Sequence, residues 1–233
     1  GGVKKCISRN VYVFLDFKIE KILMTHIGLE KISSFFSPNM LNMLSDVSDR
    51  IVKFDLAMRK FGLGNRNFGN STIFTGNLVY KHPLFLEVLE QVCPLVEERL
   101  GSSFQVSEFK LVTSVKSEDF RMWWHRDFPY GDDIDERIDK QISLAIIIPL
   151  CDFSTASGST YVLPESHLIK RFPAEYKKPD HIGDGVQLTS NIGDIWIYDP
   201  RTIHSGAPNK LQKLRHIMLL QFIIPVLSCR EDF

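Results

Sequence analysis

Apolar positions in the first hundred residues recur at helical spacing, and from about residue 106 the period changes to that of strands. Within residues 39–54, Met40, Leu41, Leu44, Val47, Ile51 and Phe54 share one face of a 3.6-residue repeat. Ser37-Pro38 stands immediately before them, an N-cap hydroxyl followed by a proline at the first helical position. A second helix is expected over about 83–100, with Leu86, Leu89, Val92, Val96 and Leu100 on one face and Gly101 as its stop. The intervening residues 62–77 are rich in glycine and asparagine and read as a surface loop.

Beyond residue 106 the expected strands are 107–115, 122–128, 142–150, 159–163, 186–189, 194–198, 202–205 and 215–226. Eight short strands separated by Gly, Pro and Asp turns are what a double-sheet jelly roll needs. The chain therefore reads as mainly β with N-terminal helices: a double-stranded β-helix, cupin-like, with the helices packed on one outer face. No repeat, low-complexity tract or long linker divides it. Residues 1–233 form one expected domain, with a helical support region to about 105 and a jelly-roll core over about 106–226.

Lys+Arg and Asp+Glu balance at 28 each, which argues against a nucleic acid or an anionic membrane as partner. No apolar run approaches the roughly 18 residues of a membrane span. Cys6, Cys93, Cys151 and Cys229 are scattered with no CxxC, as expected of reduced thiols in a cytoplasmic protein. The expected partner is a small-molecule substrate.

The chemistry concentrates in two segments. In a strand, His125 and Asp127 point to one side while Trp124 and Arg126 point to the other. A lone HxD pair is usually structural, and a lone His204 usually belongs to a core or a loop. Together they supply two imidazoles and a carboxylate, the ligand set of a facial triad that holds non-haem Fe(II) with open positions. Arg215 shares parity with Ile217, Leu219 and Ile223, so on a barrel-lining face its guanidinium is buried and needs an anion. A planar fork suits bidentate capture of a carboxylate.

These stretches resemble the phytanoyl-CoA dioxygenase superfamily of Fe(II)/2-oxoglutarate oxygenases. The resemblance is carried by WHRDF at residues 124–128, GSTYVLPESH at 158–167, GDIWIYDPRTIHSGAPN at 193–209 and Arg215. FFSPNMLNML at 35–44 and NLVYKHP at 77–83 extend it, so that it covers most of residues 30–226. It implies that His125, Asp127 and His204 are the iron ligands and that Arg215 binds the distal carboxylate of 2-oxoglutarate. Ser205 is the candidate helper for that carboxylate, and Thr113 or Ser114 the candidate contact for the keto-acid end. The implied cofactors are Fe(II), 2-oxoglutarate and O₂, with succinate and CO₂ released as a substrate C–H is oxidised. Because Asp127 is present, hydroxylation is favoured over halogenation. Residues expected near the substrate are Trp123, Arg126, Phe128 and Tyr130. His167 reads as a core-capping residue, while His26 and His216 are not expected to be ligands. Two other readings stand beside this one: a non-catalytic jelly-roll module that keeps a metal, and a cupin-type iron dioxygenase that uses no 2-oxoglutarate.

Overall fold

The structure, a computed structural model, describes residues 28–59, 67–68, 71–117, 123–127, 133–134, 141–178 and 181–225. Its strands are β1 (Leu29–Ile32), β2 (Asn67–Phe68), β3 (Thr72–Thr75), β4 (Gln105–Ser114), β5 (Ser143–Pro149), β6 (Tyr161–Val162), β7 (Val186–Gln187), β8 (Ile195–Tyr198), β9 (His204–Ser205) and β10 (Arg215–Ile223). The helices are α1 (Pro38–Arg59) and α2 (Leu84–Leu100). Seven strands form an antiparallel major sheet in the order β1-β8-β5-β10-β4-β3-β2, and three form a minor sheet in the order β7-β6-β9. This is the expected jelly roll with helices on one outer face.

Alternation along the central strands sorts their side chains between two apolar layers. Met218, Leu220 and Phe222 of β10 join Phe109, Leu111, Leu144, Ile146 and Ile148 beneath the helices. Ile217 and Leu219 face the other way, with Val112, Ala145, Ile147 and Tyr198, toward Val162 of the minor sheet. Every residue of β5 and β10 is buried. Both faces of those strands are covered, which is why their sequences are continuous apolar runs rather than alternating ones.

The helix limits follow the local chemistry. Ser37 Oγ accepts the Met40 N–H at 3.2 Å, capping the start of α1. Gly101 ends α2 at φ 83°, its N–H donating to the Glu97 carbonyl. The buried face of α2 is Leu84, Phe85, Val88, Val92 and Val96, whereas Leu86 is exposed. The expected face was thus rotated at its N-terminal end, because Phe85 wins the core position through edge-on packing against Phe109 at 5.7 Å between ring centres. The 62–77 segment is not all loop: Thr72–Thr75 pairs along β4, and Asn67–Phe68 pairs with it in turn. β1, which the pattern of apolar positions did not reveal, closes the opposite edge against β8.

Polar bonds fasten these layers. His216 Nε2 lies 2.9 Å from Asp49 Oδ1 of α1 and its Nδ1 lies 2.8 Å from Thr113 Oγ1, so one imidazole rivets helix to sheet. Arg99 of α2 pairs with Glu30 of β1. The turn at Gly158 supports the chain that follows β9. A Cβ there would stand 2.4 Å from the Pro208 carbonyl oxygen, and φ is +75°. Gly158→Ala should therefore cost about 2 kcal/mol or more, from backbone strain together with a clash against backbone. At Gly101, also at positive φ, a Cβ meets nothing within 4 Å, so Gly101→Ala should cost only about 1 kcal/mol. Urea unfolding of the two variants checks the difference; equal losses would mean that the Pro208 contact contributes nothing.

Candidate metal centre

His125 and His204 are brought together by backbone hydrogen bonds. The His125 N–H donates to the His204 carbonyl and the His204 N–H to the His125 carbonyl, both at 2.9 Å. This antiparallel pair adds the HxD segment to the open side of β9. Where a full strand over 122–128 was expected, residues 123–127 make only this isolated bridge, and residues 122 and 128 lie outside the described residues. The alternation nevertheless operates. Trp124 packs with Leu163, Phe172, Tyr176 and Ile203, while His125 and Asp127 turn to the opposite side.

Both imidazoles are oriented in the same manner. His125 Nδ1 lies 2.9 Å from the Trp123 carbonyl and His204 Nδ1 lies 2.9 Å from the Thr202 carbonyl. A carbonyl only accepts, so each ring carries its proton on Nδ1 and turns a lone pair outward at Nε2. These two Nε2 atoms stand 3.8 and 3.4 Å from the Asp127 carboxylate oxygens, and candidate ligand atoms of all three residues lie within 4.8 Å of one another. Tyr198 donates its hydroxyl to Asp127 Oδ2 at 2.7 Å, holding the carboxylate in place. Tyr198 stands inside a stretch singled out by the sequence, but no role was assigned to it; the signal available was its inward parity with Trp196.

Electrostatics keep His125 and Asp127 deprotonated. Burial, seconded by neighbouring His204, pushes the His125 pKa from 6.5 down to about 4, against the attraction of Asp127. The His125 side chain is half exposed, 52%, at the edge of the cluster. For Asp127, burial acts to raise the pKa, but His204, His125, Lys110 and the Tyr198 bond outweigh it and hold the carboxyl well below its ordinary range. Two imidazole nitrogens and a carboxylate converge, which is the donor set that a divalent transition metal takes.

Arg215 opens β10 on the interior face and is 4% exposed. Its Nη2 donates to Ser114 Oγ at 2.6 Å, while Nε and Nη1 are buried and meet no partner among the described residues. Burial lowers its pKa to about 10, so it stays a cation at neutral pH. A buried cation with two idle donors in a planar fork fits a carboxylate.

The remaining expected residues divide. Thr113 points to the helix side and bonds His216, whereas Ser114 faces the interior beside Arg215. Ser205, adjacent in β9 to His204, bonds the Gly206 carbonyl at 3.1 Å. Arg126, expected near substrate, is instead buried: its guanidinium donates to the carbonyls of Arg201, Ser166 and Ile169 at 2.8, 3.1 and 2.6 Å. It pins the turn carrying Pro200, whose carbonyl accepts the Asp127 N–H at 3.1 Å. Trp123 is 54% exposed, and Phe128 and Tyr130 lie outside the described residues.

The folded pKa of His125 lies below the unfolded 6.5, so folding favours the neutral ring. Its contribution to apo-protein stability is complete above pH 6.5 and is lost as pH falls toward about 4. NMR titration of the His125 Cε1 proton in metal-free protein should show no midpoint between pH 7.5 and 5.5. A midpoint near 6.5 would mean the ring is ordinarily solvated.

The model of the phytanoyl-CoA dioxygenase (PhyH) family matches residues 49–217, a span containing His125, Asp127, His204 and Arg215. The chain is 28% identical over 160 residues to the iron/alpha-ketoglutarate-dependent dioxygenase ausO of Aspergillus calidoustus, over 63% of this chain and 52% of that relative. It thus spans about half the relative's length. Among solved structures, HygX from Streptomyces hygroscopicus, with nickel, 2-oxoglutarate and hygromycin B bound, is similar in fold with a TM-score of 0.70 at 12% identity, over 88% of this chain and 86% of that one. SnoK, a non-heme alpha ketoglutarate dependent carbocyclase from nogalamycin biosynthesis, has a TM-score of 0.65 at 16% identity, over 86% of this chain and 81% of that one. With the family model matching well over half of its residues, the chain belongs to the phytanoyl-CoA dioxygenase (PhyH) family.

Proposed function

We propose that the protein is an Fe(II)/2-oxoglutarate-dependent dioxygenase that hydroxylates an unactivated C–H of a small molecule. The observation that carries this reading is the pairing of a three-residue metal cluster with a buried arginine whose Nε and Nη1 are unsatisfied. A metal-binding module without catalysis has no use for Arg215, and neither has an iron dioxygenase that dispenses with a dicarboxylate. His125, Asp127 and His204 hold the iron. Arg215 and Ser114 hold the distal carboxylate of 2-oxoglutarate.

Bound iron supplies the coupling of O₂ reduction to oxidative decarboxylation: 2-oxoglutarate yields succinate and CO₂, one oxygen atom enters succinate, and the other converts a substrate C–H to C–OH. The chain's own residues do the positioning. The Nδ1–carbonyl bonds fix both imidazoles, and the Tyr198 hydroxyl steadies Asp127 through one oxygen. The apolar layer of Val112, Ile147, Ile217 and Leu219 forms the interior face of the sheet that Arg215 opens onto. Asp127 occupies the position that a halide would need, which supports an oxygen-transfer outcome. Similar folds include proteins described as an epimerase and a carbocyclase, so the product decides among outcomes. Mass spectrometry under ¹⁸O₂ should show one labelled oxygen in the product; an unlabelled isomer or ring closure would replace hydroxylation with another oxidation.

Substituting His204 or Asp127 by Ala should weaken anaerobic Fe(II) binding at least about 100-fold, since even loss of a supporting contact costs 10–100-fold. Calorimetry on the apo protein measures this, and full affinity in His204→Ala would exclude that residue as a ligand. Truncating one partner of a buried charge pair costs about 2–5 kcal/mol. Arg215→Ala should therefore raise the 2-oxoglutarate dissociation constant about 30-fold or more while leaving Fe(II) binding intact. Arg215→Lys should recover only part of this, because an ammonium lacks the fork. The visible charge-transfer band of the anaerobic iron–2-oxoglutarate complex reports both variants. An unchanged constant in Arg215→Ala would place the dicarboxylate elsewhere.

A further inference from the structure

Arg215 has a neighbour on each side along the major sheet. On one side, register pairs it with Ser114 of β4, whose hydroxyl accepts from Nη2. On the other side, β10 runs antiparallel to β5 with Ile217 opposite Pro149. The Leu150 N–H donates to the His216 carbonyl at 3.0 Å, so the ladder continues one step past the end of β5. The step after that sets Cys151 opposite Arg215. Side chains opposite one another in an antiparallel pair share a face, with Cβ atoms about 5 Å apart. Cys151 Sγ lies 3.8 Å from the His216 carbonyl oxygen, which keeps the thiol beside the start of β10. The thiol and the guanidinium are near enough for each to act on the other's charge.

Cys151 is a free and partly exposed thiol, while its neighbour is a buried cation whose Nε and Nη1 meet no partner among the described residues. Burial raises the Cys151 pKa, against the pull of Arg215. The resting group is therefore a neutral thiol. It makes no demand on Arg215 and leaves the idle donors to an incoming carboxylate. A sulfinate differs in kind, because two oxygens on one atom share a negative charge, the arrangement that a planar fork binds in pairs. Formed at Cys151, it is an anion tethered next to Arg215, and tethering gives it an effective concentration on the order of millimolar or above.

Resting on the iron/2-oxoglutarate reading, we propose that Cys151 is an oxidation site through which a hydroperoxide switches off co-substrate binding. The sulphur attacks the peroxide: an S–O bond forms, the O–O bond breaks, and water or an alcohol leaves with the thiol proton, giving the sulfenic acid. A second hydroperoxide repeats the transfer and gives the sulfinic acid, which ionises. One thiol and two hydroperoxides thus yield one sulfinate, one proton and two molecules of water or alcohol. The sulphur loses four electrons and each peroxide gains two. The sulfinate then takes Arg215 and excludes the distal carboxylate of 2-oxoglutarate. Conversely, bound 2-oxoglutarate shields the sulphur.

The test uses full-length protein loaded with redox-inert Zn(II), treated with dilute hydrogen peroxide, with mass spectrometry of each cysteine and calorimetry of 2-oxoglutarate binding. Cys151 should gain two oxygen atoms. Saturating 2-oxoglutarate should slow that gain at least about fivefold and leave the rate at Cys93, on α2, unchanged. Peroxide treatment should raise the 2-oxoglutarate dissociation constant about 30-fold or more in the unmodified protein, and less than about threefold in Cys151→Ser. Cys151→Asp carries an anion without oxidation, so it should show the raised constant untreated while keeping its Zn(II) affinity within about threefold. Should that variant not fold, the peroxide comparison decides alone. Cys151 left unoxidised, or oxidised at the same rate with and without 2-oxoglutarate, would overturn the proposal. Normal co-substrate affinity in protein whose Cys151 is a sulfinate would overturn it too. So would a loss of affinity on peroxide treatment that persists in Cys151→Ser, because the damage would then lie elsewhere. Failure of the untreated, unmodified protein to bind Zn(II) or 2-oxoglutarate would instead strike the underlying functional reading.

Discussion

The reciprocal backbone hydrogen bonds between His125 and His204 are the constraint on which the rest depends. They set two residues 79 positions apart side by side across one antiparallel pair, with ring centres 4.3 Å apart. Once that pair exists, strand geometry carries Asp127 to the same side, and each Nδ1 finds the carbonyl two residues earlier. The candidate ligands are thus positioned chiefly by main chain, which is stiffer than a network of long side chains. Arg126, and the Asp199–Arg201 pair with bonds of 2.6–3.1 Å, brace the turn beneath this arrangement.

A second constraint is that the central strands are covered on both faces. The helix-side face needs only apolar packing and the rivet from His216 to Asp49. The interior face holds groups whose burial costs stability: Arg215 with two idle donors, the Lys110–Glu108 pair and the Gln221 amide. Polar groups retained in an otherwise apolar layer mark where ligands meet the sheet, because folding alone would favour their replacement.

The helices, the switch to strands near residue 106 and the candidate ligands were legible because each rests on local periodicity or on a short motif. The N-cap at Ser37 and the stop at Gly101 depend on nearby backbone groups and were readable for that reason. The short edge strands were not. Four residues at β1 or β3 have too little pattern to be told from loop, and they become strands only because β8 and β4 offer them unpaired backbone. The face of α2 was rotated at its start for a related reason. Leu86 and Phe85 are both apolar, and only the position of Phe109 decides which one is buried.

The functional side chains show the same division. The sequence by itself determined the family, the inward parity of His125 with Asp127, and the need of a buried Arg215 for an anion. Those conclusions follow from residue type, spacing and alternation, which act within a few positions along the chain. Tertiary structure alone decided that Ser114 and not Thr113 accompanies Arg215, that Arg126 braces a turn, that Tyr198 holds Asp127, and that Gln221 lies in the same row as Tyr198. Each of these depends on cross-strand register between segments far apart in sequence. Register is set by the collective packing of two apolar layers, and no single stretch of the chain encodes it.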